Sequence, residues 1–173
     1  IASVDALRAR GVEPYPAAAF PVTHRSASLK ADFQEGVPVT MAGRLMSRRI
    51  MGKASFAELQ DSEGTLQIYL NRDELCPGED KSAYNEVFKK LLDRGDWIGI
   101  EGETFKTQVG EPSVKVTQLT VLSKAIRPLP AVKTDEQGQV HDAFTDPELR
   151  YRQRYVDLAV NPDVKQTFVA RST

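Results

Sequence analysis

Basic residues and one aromatic ring stand close together between Arg44 and Asp61, in the stretch RLMSRRIMGKASFAELQD. Guanidinium and ammonium groups contact the phosphates of nucleic acids, and an exposed aromatic ring can stack on an unpaired base. Alternation places Ala57 and Leu59 on one face of a strand and Phe56 on the other, so we expect the ring to lie outside the core. If that phase is off by one residue, the ring belongs to the core.

An amide and a carboxylate further along the chain have chemistry that suits the same kind of surface. Gln67 faces outward in the next predicted strand, 65–70, and its side chain offers a hydrogen-bond donor and an acceptor together, which suits the edge of a base. Glu111 follows Gly110 in a later loop, where its carboxylate would accept a hydrogen bond from a base. The ordinary alternatives are a solvated strand residue for Gln67 and a turn residue for Glu111.

The cations of the first stretch have two interpretations. Each of them is a candidate for a phosphate contact, and each could equally form a solvated edge that discourages pairing with another strand. The segment 48–53 is predicted to close the first strand and turn, which places Arg49 and Lys53 in the loop before the second strand. The candidate phosphate contacts besides Arg49 are Arg44, Arg48 and Lys53.

The elements that must position these residues are mostly strands. Alternating apolar residues and turn signals predict strands from residue 39 and at 54–60, 65–70, 96–107 and 113–122. An apolar stripe predicts a helix at about 82–94. We also expect Gly43 to allow a bend or bulge in the first strand, and a shift of phase near Thr117–Gln118 in the fifth.

Three strands, a helix and two strands is the order of a five-stranded OB-fold Greek-key barrel, with the helix between strands 3 and 4. The predicted fold is therefore mostly β, with helical segments flanking the barrel at the N- and C-terminal ends. Such barrels bind oligonucleotides on strands 2 and 3, beside the first–second and fourth–fifth loops. The candidate residues fall on that surface.

Composition limits the function further. The 173 residues carry a net charge of -1, so nucleic-acid binding must come from a local patch. No apolar run is long enough to span a membrane. The lone Cys76 excludes an internal disulfide and suits a reducing compartment. His24 and His141 stand far apart, so no metal site is expected, and no nucleophile–base pair or phosphate-binding loop predicts catalysis.

Several strings together resemble class II lysyl-tRNA synthetases of the bacterial type, and the resemblance covers nearly the whole chain. They are GRLMSRRIMGKASFAELQD, LQIYLNRDEL, YNEVFKK, GDWIGIEGETFKT, KAIRPLP and RYRQRYVDL. The resemblance implies an anticodon-binding domain in which Phe56 stacks on the central uridine of a lysine tRNA and Gln67 reads its edge. Arg49 would assist, and Glu111 would contact a neighbouring base, although Pro112 departs from the family pattern beside it.

The resemblance also implies the organisation of the chain and its setting. Residues 1–37 would form an N-terminal helix and connector, 38–126 the OB-fold domain, and 127–173 a linker and the start of a truncated catalytic domain. The full-length enzyme would be a cytoplasmic homodimer that uses ATP and magnesium, whereas this chain would hold no cofactor and no catalytic residue. Ile1 is not an initiator methionine, so we expect the natural N-terminus to lie upstream.

Three other functions stay open from the residues alone. A sequence-tolerant single-strand binder on the same fold would bind any unpaired pyrimidine oligomer. An aspartyl- or asparaginyl-type synthetase domain would share the barrel and the stacking ring, but it would lack the strings RRIMGKASF and RYRQRYVDL. A scaffold or dimerisation module would present the same outer face to protein.

Overall fold

A computed structural model describes residues 2–130, 132–134, 140–142 and 144–173. The chain divides into two compact units, Ile1–Pro128 and Leu129–Thr173, and each is described by itself. The predicted division at residues 37/38 and 126/127 stays a prediction.

The first unit is built on a closed five-stranded barrel in which the strands follow the order β1-β2-β3-β5-β4. All neighbours are antiparallel except β3 and β5, which run parallel. The predicted OB-fold is thus confirmed. The strands are β1 Pro38–Met51, β2 Ala54–Gln60, β3 Thr65–Asn71, β4 Trp97–Lys106 and β5 Pro112–Ser123.

Strict alternation of burial separates the inner and outer faces of β2 and β3. Ala57 and Leu59 in β2 and Leu66 and Ile68 in β3 are almost fully buried, whereas the residues between them are only half-buried. Each buried branched side chain of this kind stabilises a fold by about 1.5–3 kcal/mol. The apolar residues therefore fix the register, and the polar residues between them are left outside.

β1 pairs with two neighbouring strands and changes phase within its ladder with β2. Pro38 to Arg44 pair with β4, whereas the ladder with β2 runs from Arg44 to Met51 and is interrupted by a bulge at Met46, between Leu45 and Ser47. We expected the irregularity at Gly43, and that position was wrong. Gly43 has a different role, because a Cβ there would lie 2.6 Å from the carbonyl oxygen of Gln60.

The fifth strand changes phase where the sequence predicted it. Glu101 pairs with Gln118 and Gly102 pairs with Val116, so Thr117 is the extra residue of a bulge in β5. Because this bulge bends β5, the strand follows the curve of the barrel wall.

Helices of the first unit differ from the prediction in one place. Between β3 and β4, a single helical turn, α3 at Arg72–Leu75, comes first. It is followed further along the chain by a π-helix at Ala83–Leu91, where we expected an α-helix at about 82–94. The apolar stripe is nevertheless correct, since Tyr84, Val87 and Phe88 are buried. A wider i→i+5 hydrogen-bond repeat leaves no distinct sequence signal. The other helices are α1 Ala2–Arg8, α2 Ser26–Ala31 and α3 Arg72–Leu75.

A buried ion pair joins the start of β4 to the end of β5. The ammonium group of Lys124 lies 3.0 Å from Asp96 and 2.8 Å from Asp93. Burial raises the pKa of the Asp96 carboxyl, although the backbone amides of Asp93 and Ala125 and the ammonium of Lys124 all donate to it. The network ties the two strand ends together.

The second unit contains a two-stranded sheet and three short helices. Within it the carboxylate of Asp157 accepts hydrogen bonds from Arg150 at 3.0 Å, from Asn161 at 2.6 Å and from Arg154. The elements are β6 Val132–Thr134, β7 Val140–Asp142, α4 Pro147–Arg152, α5 Arg154–Val160 and α6 Pro162–Ser172.

Candidate nucleic-acid interface

A groove of about 640 Å³ lies over β1, β2 and β3 and beneath the β4–β5 loop. Its volume is in the range of sites that hold one or two small planar groups. Five of the predicted residues line it: Arg48, Arg49, Phe56, Gln67 and Glu111.

Phe56 lies on the outer face of β2 and is half-buried. Its Cα partner across the β2–β3 ladder is Tyr69, and the two ring centroids are 5.2 Å apart. Tyr69 is in turn 5.7 Å from the ring of Phe105, in an edge-on arrangement. The neighbouring rings therefore support Phe56 from one side while it contributes to the wall of the groove.

Arg49 lies within β1, opposite Phe56, and not in the first–second loop as we expected. β1 continues to Met51 and β2 begins at Ala54, so the turn between them is only two residues long. Lys53 is exposed in that turn and is not among the residues that line the groove. The prediction that Arg49 and Lys53 share a loop was wrong, because the hairpin is longer and its turn is tighter.

Arg48 and Arg44 are engaged with the barrel itself. Arg48 is the Cα partner of the buried Ala57, and its guanidinium donates to the carbonyl oxygen of Phe88, in the π-helix, at 2.5 Å. The guanidinium of Arg44 lies over the ring of Trp97, 5.1 Å from its centroid, and burial lowers its pKa. Of these two predicted phosphate contacts, Arg48 lines the groove, but its guanidinium is hydrogen-bonded to the π-helix. Arg44 lies outside the groove.

Gln67 lies at the centre of the groove wall, in β3. Its Cα partner on β2 is Glu58, which also lines the groove. Sequence analysis did not identify Glu58 as a candidate. The other lining residues that it did not propose are Lys30, Ser47, Ala57, Thr65, Thr107 and Val109.

Glu111 is held at the rim of the groove through its backbone. Its amide donates to the Thr107 hydroxyl at 3.0 Å, and its carbonyl accepts from the Thr107 amide at 3.1 Å and from the Ser113 hydroxyl at 3.2 Å. Gly110 has a φ of +85°, which turns the chain tightly at this point. Val109, beside it, is 90% exposed. The loop thus presents a carboxylate and an apolar side chain from a fixed frame.

Four polar side chains of the groove have no partner within the described part of the chain. Arg49, Glu58, Gln67 and Glu111 form no side-chain hydrogen bond or ion pair with the part of the chain that the structure describes. Charges elsewhere on this unit are often paired, as between Lys115 and Glu74 at 3.0 Å. Opposite charges that stand in one groove without pairing are free to bind a ligand.

Asp61 fixes the hairpin that carries Phe56 and Gln67. Its carboxylate accepts from the backbone amide and the hydroxyl of Ser26, both at 2.6 Å, and from the amides of Glu63 and Gly64. Burial acts to raise the pKa of Asp61, but these hydrogen bonds, from Ser26 first, outweigh it and hold the pKa below its ordinary value. The same contact anchors α2, the helix that contributes Lys30 to the groove.

Other classes of site find no support in the described ranges. No three histidine, cysteine, aspartate or glutamate residues among them are grouped so that they could hold a metal ion. No helix among the described residues is both long enough and apolar enough to cross a bilayer.

Comparisons with known proteins point in the same direction as the groove. Residues 39–122 match the family described as the OB-fold nucleic acid binding domain, under the name tRNA anti-codon. The chain is similar to the lysine–tRNA ligase of Christiangramia forsetii, with 65% identity over 169 residues. It is 58% identical over 175 residues to that of Porphyromonas gingivalis strain W83, and 54% identical over 173 residues to that of Azobacteroides pseudotrichonymphae.

These alignments cover most of this chain and a minor part of each relative. They include 98% of the chain, but 30% of the first two ligases and 34% of the third. The chain therefore spans about a third of the length of the curated relatives that it matches.

Proposed function

Through residues 39–122 the chain belongs to the OB-fold nucleic acid binding family, and it is related along its length to lysine–tRNA ligases, so we propose that its groove binds the anticodon loop of a lysine tRNA. The observation that carries this proposal is the arrangement of Phe56, Gln67 and Arg49 in one groove, where the side chains of Gln67 and Arg49 have no partner among the described residues.

Each of these side chains has a role in the proposed complex. The ring of Phe56 stacks on an unpaired base, which contributes roughly 1–3 kcal/mol. Gln67 hydrogen-bonds the edge of that base, and Arg49, directly across the ladder from Phe56, contacts the nucleotide from the other strand. Glu111 accepts a hydrogen bond from a neighbouring base.

The charges in the groove favour the reading of bases over the tracking of phosphates. Glu58 and Glu111 both line it, and carboxylates repel phosphate groups. A sequence-tolerant single-strand binder relies on a positively charged groove along the backbone. The carboxylates of Glu58 and Glu111 can accept hydrogen bonds from the donor groups of bases but not bind phosphates. We therefore favour a domain that recognises particular bases.

The proposal extends to the whole protein by relationship alone. A full-length lysine–tRNA ligase would use the domain to select its tRNA, and ATP and magnesium would act in a separate catalytic part, in a cytoplasmic homodimer. No residue of the described groove is assigned to that chemistry. We expect this chain alone to show no lysine-dependent exchange between ATP and pyrophosphate, which an isotope-exchange assay measures.

Binding to anticodon stem-loops tests the proposal. The chain is titrated with a stem-loop that carries the anticodon UUU and with one in which only the central base is cytidine. We expect tighter binding of the uridine form, by roughly 1–3 kcal/mol if the contact is like other bidentate base contacts. We also expect Gln67→Ala to lower the affinity for uridine and to leave that for cytidine almost unchanged. Equal affinities in the unmodified chain would favour the sequence-tolerant binder, and no binding to either would refute the proposal.

A further inference from the structure

Glu58 and Gln67 stand side by side in the wall of the groove. They are Cα partners across the antiparallel β2–β3 ladder, and both are half-buried on the outer face. Side chains in such directly opposed pairs have Cβ atoms about 4.5–5.5 Å apart, so a small rotation brings their polar ends together, although no hydrogen bond joins them in the structure. Sequence analysis did not identify Glu58 as a candidate site residue.

The two side chains have different hydrogen-bonding capacities. An ionised carboxylate accepts hydrogen bonds only, whereas an amide has an NH₂ group that donates and a carbonyl oxygen that accepts. Any direct hydrogen bond between the two residues must therefore run from the Gln67 NH₂ group to Glu58. That bond leaves the Gln67 carbonyl oxygen turned away from Glu58.

Other neighbours compete little for either group. The Cα partner of Gln67 on its second side is Ser113, whose hydroxyl already donates to the carbonyl of Glu111. The Cα partner of Glu58 on its second side is Ser47, which can only add a donor to the carboxylate. Arg49 lies two ladder positions away from Glu58 and does not pair with it in the structure. Glu58 is thus available to orient the amide.

We infer that Glu58 is a positioning residue that decides which base the groove prefers, because it fixes the orientation of the Gln67 amide. This inference rests on the proposed function. When a base enters the groove, the unpaired Glu58 carboxylate accepts a hydrogen bond from the Gln67 NH₂ group, so that Gln67 presents its carbonyl oxygen to the edge of the base on Phe56. Uracil has an N–H donor at N3 and meets that oxygen favourably, whereas cytosine has an unprotonated nitrogen there and is repelled.

The same logic predicts the effect of each replacement. Glu58→Gln keeps the size of the side chain but can donate as well as accept, so it holds the Gln67 amide in either orientation. Glu58→Lys can only donate, so it bonds the Gln67 carbonyl oxygen and turns the NH₂ group toward the base. The first change weakens the discrimination, and the second favours cytidine.

The experiment measures one ratio in several variants. The complete chain and each variant are titrated with two anticodon stem-loops that differ only in uridine or cytidine at the central position. We expect the unmodified chain to prefer uridine by about fivefold or more, Glu58→Gln to lower that ratio by about threefold or more, and Glu58→Lys to bring it to one or below. A purely structural role for Glu58 would weaken both complexes and leave the ratio in place.

Glu101→Lys serves as the matched control. Glu101 lies in β4, paired with Thr40 and Gln118 and outside the groove, and its replacement changes the net charge by the same amount. We expect it to raise both affinities slightly through the added positive charge and to preserve the ratio. The loss of selectivity in Glu58→Lys then cannot come from charge alone.

The outcomes separate this inference from the function on which it rests. A preference for uridine that persists in Glu58→Gln and Glu58→Lys overturns the inference and leaves the proposed function intact. Equal affinities in the unmodified chain overturn the inference as well, because no selectivity would then exist for Glu58 to set. If neither stem-loop binds, the proposed function fails, and the inference fails with it.

Discussion

Arg49 and Phe56 face each other across the β1–β2 ladder as Cα partners, both at the groove. The side chain of Arg49 therefore extends from a backbone position directly beside the ring on which a base would stack. The ring and the cation stand on two adjacent strands of a closed barrel, so their spacing is set by backbone pairing and not by a loop.

Removal of the ring at position 56 tests the stacking contact. We expect Phe56→Ala to weaken binding of the anticodon stem-loop by roughly 1–3 kcal/mol. Thermal unfolding should change little, because the ring is half-buried and loses mainly its contact with Tyr69. The control is Phe33→Ala, which removes a partly buried ring outside the groove and should lower stability without lowering affinity. A steep loss of stability in Phe56→Ala would show that the ring belongs to the core.

Arg49 and Lys53 provide a matched pair of cations near one hairpin. Arg49 lines the groove and Lys53 is exposed in the turn beyond it, so Arg49→Gln should weaken RNA binding much more than Lys53→Gln. If Arg49 contacts a phosphate, Arg49→Gln also lowers the slope of log affinity against log salt by about one. Salt titrations of both variants check this, and an equal loss in the two would place the phosphate at the turn.

Arg48 should contribute to stability and not to RNA binding. Its guanidinium donates to the Phe88 carbonyl, and hydrogen bonds to charged groups are worth about 1.5–3 kcal/mol. We expect Arg48→Met to lower the free energy of unfolding in urea by about that amount. The affinity for the stem-loop should fall far less than in Arg49→Gln, and an equal fall would contradict the assignment.

The sequence predicts the barrel well because local rules decide it. Buried residues alternate with half-buried ones through β2 and β3. The outward orientation of Phe56 and Gln67 therefore follows from the two-residue side-chain period of a strand. The bulge near Thr117 was also predictable, because the apolar pattern breaks there. These features depend on neighbours along the chain.

Features that depend on distant neighbours could not be predicted. The bulge at Met46 lies within the β1–β2 ladder, and no residue type marks it; as a result the faces of Arg48 and Arg49 are the reverse of what alternation from Val39 indicates. Lys30 reaches the groove only because Asp61 anchors α2 against the β2–β3 turn. Both outcomes are set by contacts that only the folded chain makes.

Acid should weaken the fold partly through Asp61. Its pKa is lowered in the folded chain, so the stability that it adds is present above the ordinary carboxyl pKa and is lost as the pH falls through the lowered value. We expect unfolding free energies measured between about pH 6 and pH 3 to fall more steeply for the unmodified chain than for Asp61→Asn, which cannot titrate there. Parallel curves would show that Asp61 contributes no such stability.

The bulge at Met46 interrupts the β1–β2 ladder, since Leu45 pairs with Leu59 before it and Ser47 pairs with Glu58 after it. Pairing with β4 ends at Arg44, and the pairing with β2 that places Arg49 opposite Phe56 is set from the two-residue turn that follows Met51. Loss of one residue at Met46 would straighten the strand and disturb neither ladder. The same loss in the turn would move every later pairing by one step. The length of this strand can therefore change at its middle without changing which arginine stands opposite Phe56.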